Sequence, residues 1–242
     1  MNSIDTLFLD VGNTLISIDF PWVAEELAAR GHPCTADLLC RAEAAARPAY
    51  SRRIFVDGVP PGADLFREYL RSIVTGVESV SALAEDAREA LLSELRAVLR
   101  PDGRASVLWR RVMPRVPEAL ARLRDLGLRL VVVSNSDGTV ERSLEEAGLR
   151  HYMSAVIDSA LVGFEKPDPR IFLAALERSG ADPDRTLHVG DLYHADVEGA
   201  RAAGIRALLL DPFDDWQVDG CDRAPDLFAV ADLLAAQRRP GG

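Results

Sequence analysis

The chain has 242 residues, 48% hydrophobic and 27% charged, enough to bury a sizeable core as one large domain or as a domain with a substantial insert. Its formal net charge of −10 argues against a general binder of nucleic acid or of anionic membrane, since either would be repelled on average, but leaves a small anionic substrate open. Three cysteines, Cys34, Cys40 and Cys221, have an odd count and no metal-ligand spacing, which suits free thiols in a reducing cytoplasm. No apolar stretch is long enough to span a bilayer, and no basic leader precedes the first short apolar run, so no secretory signal is read.

In chain order, Ile4–Leu15 (IDTLFLDVGNTL) comes first. Leu7, Phe8 and Leu9 continue Ile4 into a short apolar run, which fits a strand covered on both faces of a parallel sheet. Asp10 then falls at the carboxyl end of that strand, where open α/β sheets bind ligands. From Pro21 to Leu99 the pattern turns helical: Pro21–Arg30, Thr35–Arg47, Pro61–Thr75 and Leu83–Leu99, interrupted only by a short strand signal at Ile54–Val56. Phe20 and Trp22 line a pocket or pack these helices, and Trp109 reads as packing.

From Pro114 helices and strands alternate. Pro117–Leu126 is a helix and Leu128–Val133 a buried strand ending in Ser134-Asn135-Ser136-Asp137-Gly138. Thr139–Ala147 is a helix and Ala155–Ile157 a brief strand; Pro169–Ser179 is a helix after the loop Gly163–Asp168. Thr186–Val189 is a strand ending in Gly190-Asp191, Ala195–Ala203 a helix, Ile205–Leu210 a strand and Leu227–Gln237 a last helix before a disordered end, Arg238–Gly242. Such alternation predicts right-handed crossovers and a parallel sheet with helices on both faces. His188 reads as a satisfied core residue, and His32 and His151 as loop positions.

Parallel strands place all their carboxyl ends at one edge, and each of these ends is suited to a phosphate: Asp10, Ser134 with Asn135, Lys166, and Asp191 with Asp196 beyond it. A carboxylate attacking phosphorus divides one hard displacement into two easier ones, which makes Asp10 the candidate nucleophile. Asp10 and Asp191 offer ligands for Mg²⁺, a hard cation that offsets the repulsion between carboxylate and phosphate. Lys166 adds a point charge; the Ser134 hydroxyl and backbone N–H groups near Gly12 and Asn13 bind phosphate oxygens; Asp196 orients the metal's waters or Lys166. Lys166 is also the single lysine among 28 basic residues, in a chain that elsewhere uses arginine, and the two cations are not interchangeable.

Asp10-Val11-Gly12-Asn13-Thr14-Leu15, Ser134-Asn135, Lys166-Pro167-Asp168 and Gly190-Asp191 with Asp196 resemble the four ordered motifs of the haloacid dehalogenase-like (HAD) hydrolase superfamily. The resemblance covers the whole chain. It implies an α/β fold: a Rossmann-like three-layer core with a parallel sheet (residues 1–16 and 112–242) and an inserted all-helical cap (17–111). It further implies Mg²⁺ held by Asp10, the Gly12 carbonyl and Asp191, Asp10 and Lys166 as catalytic groups, an aspartyl-phosphate intermediate, and phosphatase action on a small metabolite.

One position departs from that pattern. Where phosphatases of the superfamily carry a second aspartate, this chain has Gly12, which removes acid–base help worth about 10²–10⁴-fold. Weakened activity that favours aryl or acyl phosphates is therefore expected, with His194 the nearest substitute acid–base and a turn role its alternative. Two competing readings stay open: a catalytically silent module that binds a phosphorylated ligand or a protein, and a 2-haloacid dehalogenase, against which Gly190-Asp191 argues. In the cap, Arg52 and Arg53, with Arg47 around Tyr50, are candidate contacts for a second anionic group, or else a solvated helix end. A cytoplasmic monomer or homodimer with no nucleic-acid or membrane partner completes the expectation.

Overall fold

A computed structural model describes residues 3–60, 62–101 and 108–238. The described residues form two compact units, one drawn from residues 1–17 and 110–242 and the other from residues 18–109.

In the first unit six parallel strands, β1 (Thr6–Leu9), β4 (Arg129–Ser134), β5 (Ala155–Asp158), β6 (Thr186–Gly190), β7 (Arg206–Leu210) and β8 (Asp222–Ala224), lie in the order β5-β4-β1-β6-β7-β8. The apolar run of β1 takes the middle because both its faces must be covered: Leu7, Phe8 and Leu9 are all fully buried. Phe8, Val131 and Val133 pack with Ile171, Phe172 and Ala175 of α9 (Pro169–Ser179) and Ala200 of α10 (Gly199–Ala202). Alternation along the strands turns Leu7, Leu9, Leu130 and Val132 to the opposite face. Helices α6 (Val116–Asp125) and α11 (Leu227–Arg238) pack against each other, with Leu120, Leu123, Val230 and Leu234 buried. Each such leucine contributes roughly 1.5–3 kcal/mol by leaving water. Shorter helices α7 (Val140–Glu146) and α8 (Ser159–Val162) flank β5.

The second unit holds α1 (Phe20–Ala29), α2 (Ala36–Arg52), α3 (Leu65–Val74), α4 (Glu78–Ser81) and α5 (Glu85–Leu99). Asp19, Thr35 and Asp64 cap α1, α2 and α3 by accepting backbone N–H groups in the first turn. The apolar stripes converge on Leu27, Leu39, Leu70, Leu92 and Leu95. A two-stranded ribbon, β2 (Ile16–Ile18) with β3 (Trp109–Val112), carries the chain from one unit to the other and back.

Several expectations need correction. The β-branched run Ile54–Val56 is not a strand: α2 continues through Pro48, and Arg53–Asp57 add a π-helical turn. The helix expected over Ala195–Ala203 is a π-helical turn, Tyr193–Glu198, followed by α10. The ribbon β2–β3 and the edge strand β8 carry no apolar run long enough to signal them. Of the tail expected to be disordered, Arg238 closes α11 and 239–242 lie outside the described residues.

Candidate active site

β1 and β6 are neighbours in register, Leu9 opposite Val189, and the Asp10 N–H donates to the Val189 carbonyl at 3.0 Å. Asp10 therefore leaves the sheet beside Gly190 and Asp191. The Lys166 ammonium donates to Asp10 Oδ1 at 2.5 Å and to Asp196 Oδ1 at 2.6 Å, with Lys166 only 3% exposed. Burial works against the lysine's charge, but the two carboxylates outweigh it and hold its pKa above the usual lysine value. Burial pushes the Asp10 carboxyl up, against the pull of Lys166.

The lysine is held from the main chain as well. The Lys166 N–H donates to Asn135 Oδ1 at 2.7 Å, and Asn135 Nδ2 donates to the Lys166 carbonyl at 2.9 Å. Asn135, expected among the phosphate-binding groups, thus uses both ends of its amide as a brace on the Lys166 loop. Ser134 ends β4 nearby and is buried.

Asp196 is gripped at both oxygens. Oδ1 receives Lys166 and lies 3.0 Å from His188 Nε2, and Oδ2 accepts the Leu192 N–H at 2.9 Å. Burial alone would raise this carboxyl; Lys166 and the His188 bond outweigh it and hold Asp196 well below the ordinary carboxylate range. His188 and Gly190, two apart on β6, share one face of the sheet. A Cβ on Gly190 would meet Asp196 atoms at 2.2–2.7 Å, so glycine is what lets the carboxylate lie against the strand. The expectation of a satisfied core histidine at 188 holds for one nitrogen only: the ring is fully buried and Nε2 meets Asp196, but Nδ1 has no hydrogen-bond partner among the described residues.

Asp191 is brought to the same edge, where its Oδ2 accepts Asn13 Nδ2 at 3.1 Å. Asn13 sits at φ 49°, a left-handed conformation that asparagine tolerates better than most residues. Gly12 precedes it and is half-buried.

Sequence reasoning missed Asp158 and Ser159. Asp158 Oδ1 accepts the N–H groups of Gly138 and Ala160, and Oδ2 that of Val140, which fixes the loop after β4. Ser159 Oγ accepts the Ser136 N–H and donates to the Ser136 carbonyl. The available signal was a carboxylate ending the apolar strand β5. His194 is half-buried among aromatic rings, 5.4 Å from Tyr193 and 6.4 Å from Trp216.

In the helical unit, Arg52 faces Asp57 at 3.5 Å and Arg53 faces Glu68 at 3.0 Å, both arginines largely exposed. Arg47 is buried against Glu43 at 2.6 Å, and Tyr69 donates to the same carboxylate. Each candidate arginine is thus matched to an acid of its own unit. Burial, helped by Glu68, pushes the Tyr50 hydroxyl up to about 12.

Among the described residues no three His, Cys, Asp or Glu side chains alone form a metal-holding group. Two buried carboxylates, Asp10 and Asp191, are brought to this edge, and Gly12, two residues beyond Asp10, has only main-chain oxygen to offer beside them. That all-oxygen set suits a hard cation such as Mg²⁺, which completes its shell with water and substrate oxygen, and does not suit a soft metal. A cavity of about 700 Å³ opens elsewhere, lined from the first halves of β6 and β7 and from α11, and takes in none of these residues. No helix among the described residues is long and apolar enough to cross a membrane.

Known proteins resemble this chain. A mouse protein, haloacid dehalogenase-like hydrolase domain-containing protein 3, is 32% identical over 94% of this chain and 91% of its own length. For the bovine protein of the same name the match is 40% but spans 46% of that protein. The phosphoserine phosphatase of Thermus thermophilus is 37% identical over 68% of this chain and 70% of its own. The Bacillus subtilis HAD hydrolase YfnB superposes with a TM-score of 0.65 over 96% of this chain and 99% of its own at 18% identity, a likeness of fold. The model of the haloacid dehalogenase-like hydrolase family matches residues 4–204, and with the strand-end cluster and the parallel sheet beneath it this places the chain in that family of hydrolases.

Proposed function

We propose that this hydrolase removes phosphate from a small phosphorylated metabolite, with Asp10 as nucleophile and Mg²⁺ as cofactor, and that Gly12 confines efficient turnover to esters whose leaving group needs no proton. The observation that carries the reading is the Lys166 ammonium held between Asp10 and Asp196 in a buried pocket of carboxylates at the strand ends. That the relatives include a phosphoserine phosphatase supports phosphate esters over haloacids.

Asp10, Asp191 and the Gly12 carbonyl would hold the metal, which supplies positive charge against the phosphate oxygens. The Asp10 carboxylate attacks phosphorus; as the Asp10–phosphorus bond forms, the bond to the ester oxygen breaks and the leaving group departs as an anion. Water then attacks phosphorus, phosphate leaves and the carboxylate is restored. Lys166 keeps its proton throughout, orienting Asp10 and balancing charge on the phosphoryl oxygens. No side chain stands at position 12 to protonate the leaving oxygen, so a poor leaving group stalls the first step.

A cytoplasmic setting and a monomeric or homodimeric form, without nucleic acid or membrane as partner, belong to the same reading; the net charge of −10 and the free thiols support it.

Gly12 also favours a second reading, a binding module that retains a phosphorylated ligand without turning it over. A panel of aryl, acyl and alkyl phosphates assayed with Mg²⁺, with a chelator and with Asp10→Asn separates the two. Phosphate release lost in both controls supports the enzyme; Mg²⁺-dependent binding without release on any ester supports the module.

A further inference from the structure

Against the catalytic cluster lies a buried titratable side chain that the proposed chemistry does not use: His188, fully buried in β6, with its Nε2 3.0 Å from Asp196 Oδ1 and its Nδ1 without a hydrogen-bond partner among the described residues. We infer that His188 is a positioning residue, a neutral imidazole protonated on Nε2, that fixes Asp196 and through it the share of Lys166 given to Asp10.

The geometry assigns the proton. Asp196 is an acceptor at both oxygens, already taking the Lys166 ammonium and the Leu192 N–H, so a close His188 nitrogen must be the donor. A second proton on Nδ1 would place a buried cation there with an N–H that finds no acceptor among the described residues. The Phe172 ring packs near-perpendicular to the imidazole with centroids 4.9 Å apart, an apolar neighbour on this face of the sheet.

The position in the sheet explains what the donor does. Gly190 clears the strand so that Asp196 lies against it, and His188, on the same face two residues earlier, donates to it there. Asp196 Oδ1 then divides its acceptor strength between the imidazole and the ammonium. With the imidazole donor gone, Asp196 pulls harder on Lys166, and the bond from Lys166 to Asp10 loosens. The effect reaches Asp10 without any contact between His188 and substrate.

The inference about kinetics rests on the proposed phosphatase reading; the tautomer and the lysine signal do not. The test compares His188→Gln with His188→Met, side chains of similar length and volume of which only glutamine can donate from the place of Nε2. Lys166 is the only lysine, so ¹⁵N-lysine labelling gives one assignable ammonium signal. We expect long-range ¹H–¹⁵N spectra of the unmodified protein at pH 7 to show His188 protonated on Nε2 alone. The Lys166 signal should shift in His188→Met and stay near the wild-type position in His188→Gln. On an aryl phosphate, His188→Met should lose about 10–100-fold in kcat with KM nearly unchanged, and His188→Gln should keep most of it. Protonation on Nδ1, a doubly protonated ring, or equal Lys166 shifts in the two variants overturns the inference. If the wild type turns over no ester, the phosphatase reading falls while the two spectroscopic arms, the first of which needs no variant, still decide this one.

Discussion

A Cβ built on Gly190 lies 2.2 Å from Cγ of Asp196, far inside any tolerable contact. The glycine is needed for what it lacks. Gly190→Ala must push the Asp196 carboxylate off the strand, at about 1–3 kcal/mol of overpacking, and with it one of the two acceptors of Lys166. A lower urea midpoint and a loss of turnover greater than tenfold on an aryl phosphate are the expected results. Full activity in that variant would show that Asp196 has no part in holding the lysine.

Gly12 offers the opposite experiment, a gain. On the proposed reading, Gly12→Asp would put a carboxyl group where the leaving oxygen departs, and acid–base help of that kind is worth about 10²–10⁴-fold. The expected gain in kcat/KM is large for alkyl phosphates and small for aryl ones, whose leaving groups need no proton. Equal gains on both, read from matched ester pairs, would disprove the account of Gly12.

Asp158 collects three backbone N–H groups while 2% exposed, and it ties the loop after β4 to the end of β5. Asp158→Ala leaves buried donors unsatisfied and should cost on the order of 3 kcal/mol in chemical denaturation. Asp158→Asn, with only one amide oxygen to accept, should fall between. Faster amide exchange at Gly138 and Val140 would locate the damage.

The carboxyl of Asp168, which caps α9, is lowered to about 2 by the Arg170 side chain and by the Arg170 backbone N–H. A depressed folded pKa contributes stability that is present above the unfolded value, about 3.9, and is lost as pH falls toward about 2. The stability gap between wild type and Asp168→Asn should therefore be constant from neutral pH to about 4 and shrink below it. Arg170 is exposed and Asp168 partly so, so added salt should narrow the gap at neutral pH as well. Denaturation series across that range, at low and high salt, check both signs.

The central strands and the polar residues at their ends could be read from sequence because β1, β4 and β6 are buried on both faces and announce themselves as apolar runs that stop at Asp10, Ser134 and Asp191. What escaped depends on partners that meet only in the folded chain. His188 reads as a satisfied core residue in the sequence, and the Asp196 carboxylate it meets arrives only from the turn beyond Gly190. The brace formed by Asn135, whose amide is committed to the main chain of a residue 31 positions away, is likewise a meeting that only folding creates. Ile54–Val56 has the composition of a strand, but the helix before it carries on and no neighbouring strand is there to pair with it. The edge strand β8, Asp222–Ala224, is largely exposed and so never acquires an apolar signature.

The burial of the chain's only lysine has a practical consequence. Every other one of its 28 basic residues is arginine, so the native surface presents no side-chain amine to an acylating reagent. Lys166 can be tagged only when the strand ends come apart, and the rate at which a primary-amine label enters that position becomes a direct clock for opening of this edge of the sheet.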